Sequence, residues 1–237
     1  MGLNPGMLSD VMEDYLKAIY ALQREEGAPV GTSAIASYLD VTPPTVTSML
    51  ENLAERGLVD REKYTGVELT EEGEAVALEV LRHHRLLEAY LARHLDYEWS
   101  EVHDEADALE HHISEEFERR VAAALDDPAL DPHGDPIPGE DLEPLADDDT
   151  AALAACEAGD RVVVARVDDR NPAELEHLAD AGVEPGRELT VVEVQPIGML
   201  VVEHDDGRQH LPERVAGRIR VRPATADEDL ASGVSGG

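Results

Sequence analysis

The sequence predicts an α+β chain of several domains: a winged helix-turn-helix, then a helical domain, then a small β-barrel. Three observations predict it. Apolar residues recur at helical spacing before residue 57 and again over 71–125. Between those stretches lie two short apolar strands around a Tyr64-Thr65-Gly66 turn. From Gly159 onward the pattern changes to β-branched runs punctuated by Pro185-Gly186 and Asp206-Gly207.

Each element has its own warrant. Residues 8–24 place Leu8, Val11, Met12, Tyr15, Leu16, Ile19 and Tyr20 on one helical stripe. After Gly27 and Pro29, Thr32 or Ser33 is expected to cap a short helix, SAIASYL. Asp40-Val41 turns the chain into PPTVTSMLENLAERG, with Thr42 as N-cap, Pro43 at the first helical position and Gly57 as stop. LVDRE and GVELT form the wing, and Thr70 caps the next helix. This order defines residues 1–70 as a winged helix. A helical domain over 71–140 follows, broken at Asp96-Tyr97, with one helix expected from Ser100 to about Leu125.

Residues 126–149 carry ten acids, no bases and five prolines, which a helix cannot absorb. Residues 141–157 therefore read as an acidic linker, although DPHGDPIPG is patterned. A five-stranded barrel is expected over 158–223, using DRVVVARV, ELTVVEV, MLVVEH and RIRVRP, with a short helix PAELEHLADAG. The tail 224–237 is expected to be disordered.

Charge and composition bound the function. The net charge is −34 and only Lys17 and Lys63 are lysines. Such a surface repels phosphate at low salt. It matches the surfaces of proteins from salt-rich cells, where the Debye length falls to roughly 3 Å at 1 M. No apolar run is long enough for a membrane span. The opening residues lack a secretory signal, and the single Cys156 has no disulfide partner, so a cytoplasmic protein is expected. HExxH, GxSxG and a phosphate-cradling glycine loop are all missing, so an enzyme is not expected.

The pattern with chemistry in it begins near Ser100. On a helix, His103, Asp107, Glu110 and His111 fall within about 100° of one another, and His84 and Glu88 repeat the spacing one helix earlier. Clustered carboxylates repel unless a cation neutralises them. A divalent metal does so; a solvated acidic face is the competing reading.

MEDYLKAIY, VTPPTVTSMLENLAERGLV, RHHRLLEAYL, EVHDEADALEHHISEEFERRV and GVEPGRELTVVEV…LPERVAGRIRV resemble, in order and spacing, segments of one group of metal-dependent repressors. That group comprises the diphtheria toxin repressor, iron-dependent regulator and manganese transport regulator. The resemblance runs to about residue 222. It implies a metal-dependent repressor of metal-uptake genes, a helical dimerisation and metal-binding domain, and an SH3-like C-terminal barrel related to ferrous-iron-transport accessory domains.

Carried over by position, the resemblance implies a primary site of Asp14, Asp107, Glu110 and His111. It implies an ancillary site of His84, Glu88, His103 and Glu174, with Asp131 as an alternative ligand. Carboxylate and imidazole ligands without sulfur suit Mn²⁺ or Fe²⁺, with Mn²⁺ preferred. Lys17 departs from the manganese-type pattern, which has a carboxylate there. Thr42, Pro44, Thr45 and Ser48 are the implied base-reading residues, in a stretch (42–50) without charge. Arg56, Arg61, Lys63 and Tyr64 are the implied backbone clamps. A homodimer on a palindromic operator in double-stranded DNA is expected, with Leu109, Ile113, Phe117 and Val121 as dimer surface or intradomain core. No membrane and no small organic ligand are expected. Two alternatives remain: a winged-helix regulator not gated by metal, and an iron-transport accessory protein that does not bind DNA.

Overall fold

The computed structural model describes residues 8–62, 65–146 and 149–224. The chain divides into two compact units. The first comprises Met1–Leu87, Ala106–Ala129 and Ile137–Leu145; the second comprises Glu88–Glu105, Leu130–Pro136 and Ala146–Gly237.

In the first unit α1 (Asp10–Glu26) starts at Ser9, whose side chain accepts from the Met12 N–H, and buries Tyr15, Leu16 and Ile19. Helix α2 (Thr32–Tyr38) has Gly31 at its N-cap, before both Thr32 and Ser33, the expected caps. Gly31 offers no side-chain acceptor. Helix α3 (Pro43–Glu55) has Pro43 at its start and points Val46, Leu50 and Leu53 inward. Thr42 is at the cap position, yet its hydroxyl meets Thr45 Oγ1 at 2.8 Å rather than a backbone N–H. Gly57, at φ 75°, closes α3 in the left-handed region that glycine tolerates.

Strands β1 (Val59–Glu62) and β2 (Gly66–Leu69) pair antiparallel as the wing. Thr70 Oγ1 then accepts from Gly73 N at 3.1 Å and starts α4 (Glu71–His94). A Cβ at position 73 would sit 1.9 Å from the Leu58 carbonyl oxygen, so the close approach of α4 to the residue before β1 needs glycine. Helices α1–α3, the wing and the start of α4 share one core.

The helix expected from Ser100 to Leu125 is two helices, α5 (Val102–Leu109) and α6 (Glu115–Ala124). Ser114 stops continuity by accepting from the Phe117 N–H, which gives α6 its own N-terminus. Of the four apolar residues expected there, Val121 is buried and Phe117 is exposed; Leu109 and Ile113 lie between.

The acidic segment does not begin as free linker at 141. Leu142 and Leu145 pack on the first core, Arg24 donates to the Leu145 carbonyl, and Leu145 N donates to the Tyr20 hydroxyl at 3.2 Å.

The second unit is built on β3 (Ala151–Ala152), β4 (Arg161–Val167), β5 (Glu188–Gln195), β6 (Met199–His204), β7 (Gly207–Pro212) and β8 (Ile219–Pro223), with α7 (Pro172–Asp180) and α8 (Glu213–Ala216). The sheet runs β3-β8-β4-β5-β6-β7, one strand more than the five expected. Strand β3 and the buried Leu153 fall inside the stretch expected to be linker to 157, because Ala151 and Ala152 pair with β8. The expected tail lies outside the described residues, except for Ala224. Among the described residues no helix is long and apolar enough to cross a membrane.

The patterned turn 131–136 docks on β4. Asp131 Oδ1 accepts from His133 N and Asp135 N, both at 2.9 Å, which folds the turn upon itself. Val167 N donates to the His133 carbonyl at 3.0 Å, and Arg166 reaches Asp135 at 2.9 Å. Gly134 has φ +89°, and a Cβ there would meet the Ala165 carbonyl oxygen at 2.1 Å. Only glycine permits that approach.

Candidate metal centre

In the first unit three elements converge on one cluster. Helix α1 presents Glu13, Asp14 and Lys17, helix α4 presents His83 and His84, and α5 with the turn after it presents Asp107, Glu110 and His111. Because α5 ends at Leu109, Glu110 and His111 lie in that turn rather than on the expected helical face. The helical-wheel grouping is corrected accordingly: His103 belongs to a different cluster.

The side chain of Glu110 is fully buried and organises the site. Its Oε1 receives Lys17 Nζ at 2.6 Å and its Oε2 lies 2.5 Å from His84 Nδ1. Lys17 also reaches Asp107 Oδ1 at 3.0 Å, and His84 Nδ1 lies 3.2 Å from the same oxygen. His111 Nε2 faces Asp14 Oδ1 at 3.0 Å and Glu110 Oε1 at 3.4 Å, while its Nδ1 faces Glu13 Oε2 at 2.7 Å. His83 fixes the Glu110 main chain, its Nδ1 3.1 Å from the Glu110 carbonyl. It is itself held by Glu118, which also receives Arg82.

Electrostatics follow from these contacts. Burial alone would lower the His111 pKa, but the hydrogen bonds to Asp14 and Glu13 push it up to about 10. Burial likewise opposes the charge on Lys17, yet Glu110 and Asp107 hold its pKa above the ordinary lysine range. Without a metal, then, both groups are cations.

The donor set suits a hard divalent ion. Single ligand atoms of Asp14, Glu110 and His111 lie within 4.8 Å of one another, as do those of His84, Asp107 and Glu110. Two such trios share Glu110. Oxygen and nitrogen donors without sulfur suit Mn²⁺ or Fe²⁺ and do not specially favour softer ions. Of the expected primary ligands, Asp14, Glu110 and His111 come together; Asp107 sits on the flank with His84 and Lys17.

A second cluster belongs to the second unit. Glu88 and His133 are fully buried and Asp131 nearly so, with ligand atoms of the three within 4.8 Å. His103 Nδ1 lies 3.4 Å from both Glu88 Oε1 and Asp169 Oδ2. The His133 ring donates from Nε2 to the Trp99 carbonyl at 3.0 Å. Its buried Nδ1 has no hydrogen-bond partner and points at Glu88 Oε1, 3.7 Å away, and Asp169 Oδ2, 4.0 Å away. A lone pair aimed at two carboxylates is stable only with a proton or a cation between them. Burial lowers the His133 pKa, but Glu88 and Asp169 raise it to about 9.

Glu174 is the expected ligand that goes elsewhere: it pairs with Arg214 and with Arg218 (3.1 Å). Asp169 stands beside His103 and His133 instead. His133 and Asp169 were not anticipated. The resemblance attaches its expectation in DPHGDP to Asp131 and not to His133; Asp169 follows β4 and carries no periodic signal.

On α3 the side chains of Thr42, Pro44, Thr45 and Ser48 are all exposed. Arg56 bonds Asn52 at 3.0 Å, and Arg61 bonds Glu51 at 3.3 Å, both on the surface. Lys63 and Tyr64 lie outside the described residues.

The chain is similar to known proteins over most of its length. Residues 7–67 match the iron dependent repressor N-terminal DNA binding domain, 70–139 the iron dependent repressor metal binding and dimerisation domain, and 151–223 the FeoA domain. The iron-dependent repressor IdeR of Mycobacterium tuberculosis is 36% identical over 225 residues, spanning 90% of this chain and 97% of its own. The diphtheria toxin repressor of Corynebacterium glutamicum is 34% identical, spanning 90% and 96%. Among solved structures, a manganese-dependent transcriptional repressor in complex with manganese superposes with a TM-score of 0.83 at 38% identity, covering 90% of this chain and all of that one.

Proposed function

The chain belongs to the iron-dependent repressor family, and from that premise we propose that Mn²⁺ or Fe²⁺ held by Asp14, Glu110 and His111 switches its hold on operator DNA. It is a metal-dependent, DNA-binding transcriptional repressor and not an enzyme, with an SH3-like C-terminal domain. It binds operator DNA and dimerises.

The observation that carries the proposal is the origin of the ligands. Asp14 stands on α1 in the DNA-binding domain, whereas Glu110 and His111 stand in the metal-binding domain. When bound, the ion supplies the positive charge that ties these carboxylates together. Helix α1 contacts α2 and β2, and α2 contacts α3, so holding α1 holds the reader helix. Glu13 keeps the His111 Nδ1 proton and so aims Nε2 toward Asp14 and Glu110. A ligand shifts this equilibrium only as far as it prefers one arrangement of the domains.

The donor set suits either ion, and the manganese-bound relative supports Mn²⁺ over Fe²⁺. Glu88, Asp131, His133, His103 and Asp169 form a second metal centre in this reading. Thr42, Pro44, Thr45 and Ser48 read base edges, and Arg56 and Arg61, with Lys63 and Tyr64, meet the backbone. The regulated genes are those of metal uptake. With a net charge of −34, the protein works in concentrated salt, where screening lets it approach phosphate. Dialysis into dilute buffer should reduce its helical circular dichroism; unchanged signal would count against a salt-adapted fold. The decisive test is operator binding in concentrated KCl against a panel of divalent ions. Mn²⁺ or Fe²⁺ should tighten binding and chelator should reverse it; metal-independent binding would overturn the proposal.

A further inference from the structure

The two trios that share Glu110 are not equivalent. Lys17 Nζ lies 3.0 Å from Asp107 Oδ1 and 2.6 Å from Glu110 Oε1, so the ammonium sits among the oxygens of the His84–Asp107–Glu110 trio. The other trio, Asp14–Glu110–His111, is bridged by His111. We propose that Lys17 is a tethered cation filling the second of two adjoining metal pockets, so that this centre takes one divalent ion where its ligand set has the makings of two. The inference rests on the metal-binding reading of the cluster given above.

Charge and geometry both support it. Glu13, Asp14, Asp107 and Glu110 bring four carboxylates to the site, and Lys17 is the one lysine among the residues converging there. Its Nζ is within hydrogen-bond distance of oxygens that a second ion would need as ligands. Two cations competing for Glu110 Oε1 repel, and in a partly buried site that repulsion is weakly screened. The ammonium cannot diffuse away, so a second ion must displace it from Asp107 and Glu110 at a fixed cost that dilution does not remove. It also ties α1 to α5 before metal arrives, which leaves a single ion to complete the link.

The test counts Mn²⁺ bound per full-length chain in concentrated KCl, by the electron paramagnetic resonance signal of free Mn²⁺, in the unaltered protein, Lys17→Glu, Lys17→Met and Asp14→Ala. Circular dichroism checks the fold of each. Lys17→Glu should bind one more ion per chain, and that ion should be spin-coupled to its neighbour. Lys17→Met, which removes the charge without adding a ligand, should tighten the first ion at least tenfold. Asp14→Ala should bind one ion fewer. If Asp14→Ala loses an ion but Lys17→Glu gains none and Lys17→Met leaves the affinity unchanged, the role of Lys17 is overturned and the metal centre stands. If Asp14→Ala loses none, the centre itself is misplaced and the lysine's role falls with it.

Discussion

The two acid–histidine clusters solve the same electrostatic problem with different materials. The first is built by helices and stays half open: Asp14 and Asp107 keep 42% and 49% of their side-chain surface. It brings its own cations, Lys17 and the doubly hydrogen-bonded His111. The second is closed, with Glu88 and His133 at 0% exposure, and it depends on a turn whose fold is held by Asp131 and Gly134. An open cluster exchanges its ion for water and protons readily and suits a sensor. A closed one holds what it takes and suits a structural role.

The largest effect that would break this comparison is loss of Glu110. Glu110→Ala removes the carboxylate common to both trios of the first cluster. Mn²⁺-dependent operator binding should vanish, a loss greater than the roughly 10–100-fold expected for a mere supporting partner. Fluorescence anisotropy of a labelled operator measures it, with calorimetry on the protein alone to follow the metal. Retained metal dependence would mean that the sensing ion sits elsewhere.

A smaller effect is expected at the closed cluster. His133→Ala takes away the ring that donates to the Trp99 carbonyl as well as the Nδ1 aimed at Glu88 and Asp169. The second ion should weaken by about 10–100-fold, and thermal stability in saturating Mn²⁺ should fall toward the metal-free value. DNA binding at high metal should change far less than in Glu110→Ala. Equal loss in both variants would erase the distinction between sensor and structural site.

The contrast also explains what could be read from the residues alone. Helix periodicity carries only part of the first cluster: Asp107 stands on α5, but Glu110 and His111 lie in the turn that follows and meet Asp14 of α1 through tertiary packing. Exposed Thr42, Pro44, Thr45 and Ser48 follow from the same periodicity, with Val46, Leu50 and Leu53 on the inner face. The break at Ser114 was not legible, since Ser within EHHISEEF suits a helix interior poorly but does not forbid it. Asp169 and His133 were missed because their meeting depends on a loop docking on β4, which no local period encodes. Glu174, implied as a ligand by the resemblance alone, pairs with Arg214 and Arg218, contacts that no local spacing encodes either.

The pH response should separate the clusters further. Metal binds the neutral imidazole, whereas metal-free His111, with its pKa pushed up to about 10, is protonated throughout the physiological range. Each ion bound at the first cluster therefore displaces one proton, and Mn²⁺ affinity should rise about tenfold per pH unit as pH climbs from 6 to 9. Titration in two buffers of different ionisation enthalpy counts that proton. In Glu13→Gln the slope should shrink, because one of the two acceptors that hold the ring's charge is lost. A flat profile would show that His111 Nε2 is not a ligand.

The smallest expected effect is the most useful control. Ser114 caps α6 immediately after the turn that carries Glu110 and His111, and its Oγ accepts from Phe117 N at 3.3 Å. Ser114→Ala leaves the α6 donor to water and should cost about 1 kcal/mol of stability, read from chemical denaturation in concentrated salt. It removes no ligand and touches neither His111 nor Glu110. If the turn is held by its own contacts, through His83 to the Glu110 carbonyl and Glu13 to His111, Mn²⁺ affinity should stay within about twofold of the unaltered protein. If affinity falls in step with stability, the open cluster owes its shape to α6 rather than to those side chains. The sensor and the helix would then have to be treated as one cooperative piece.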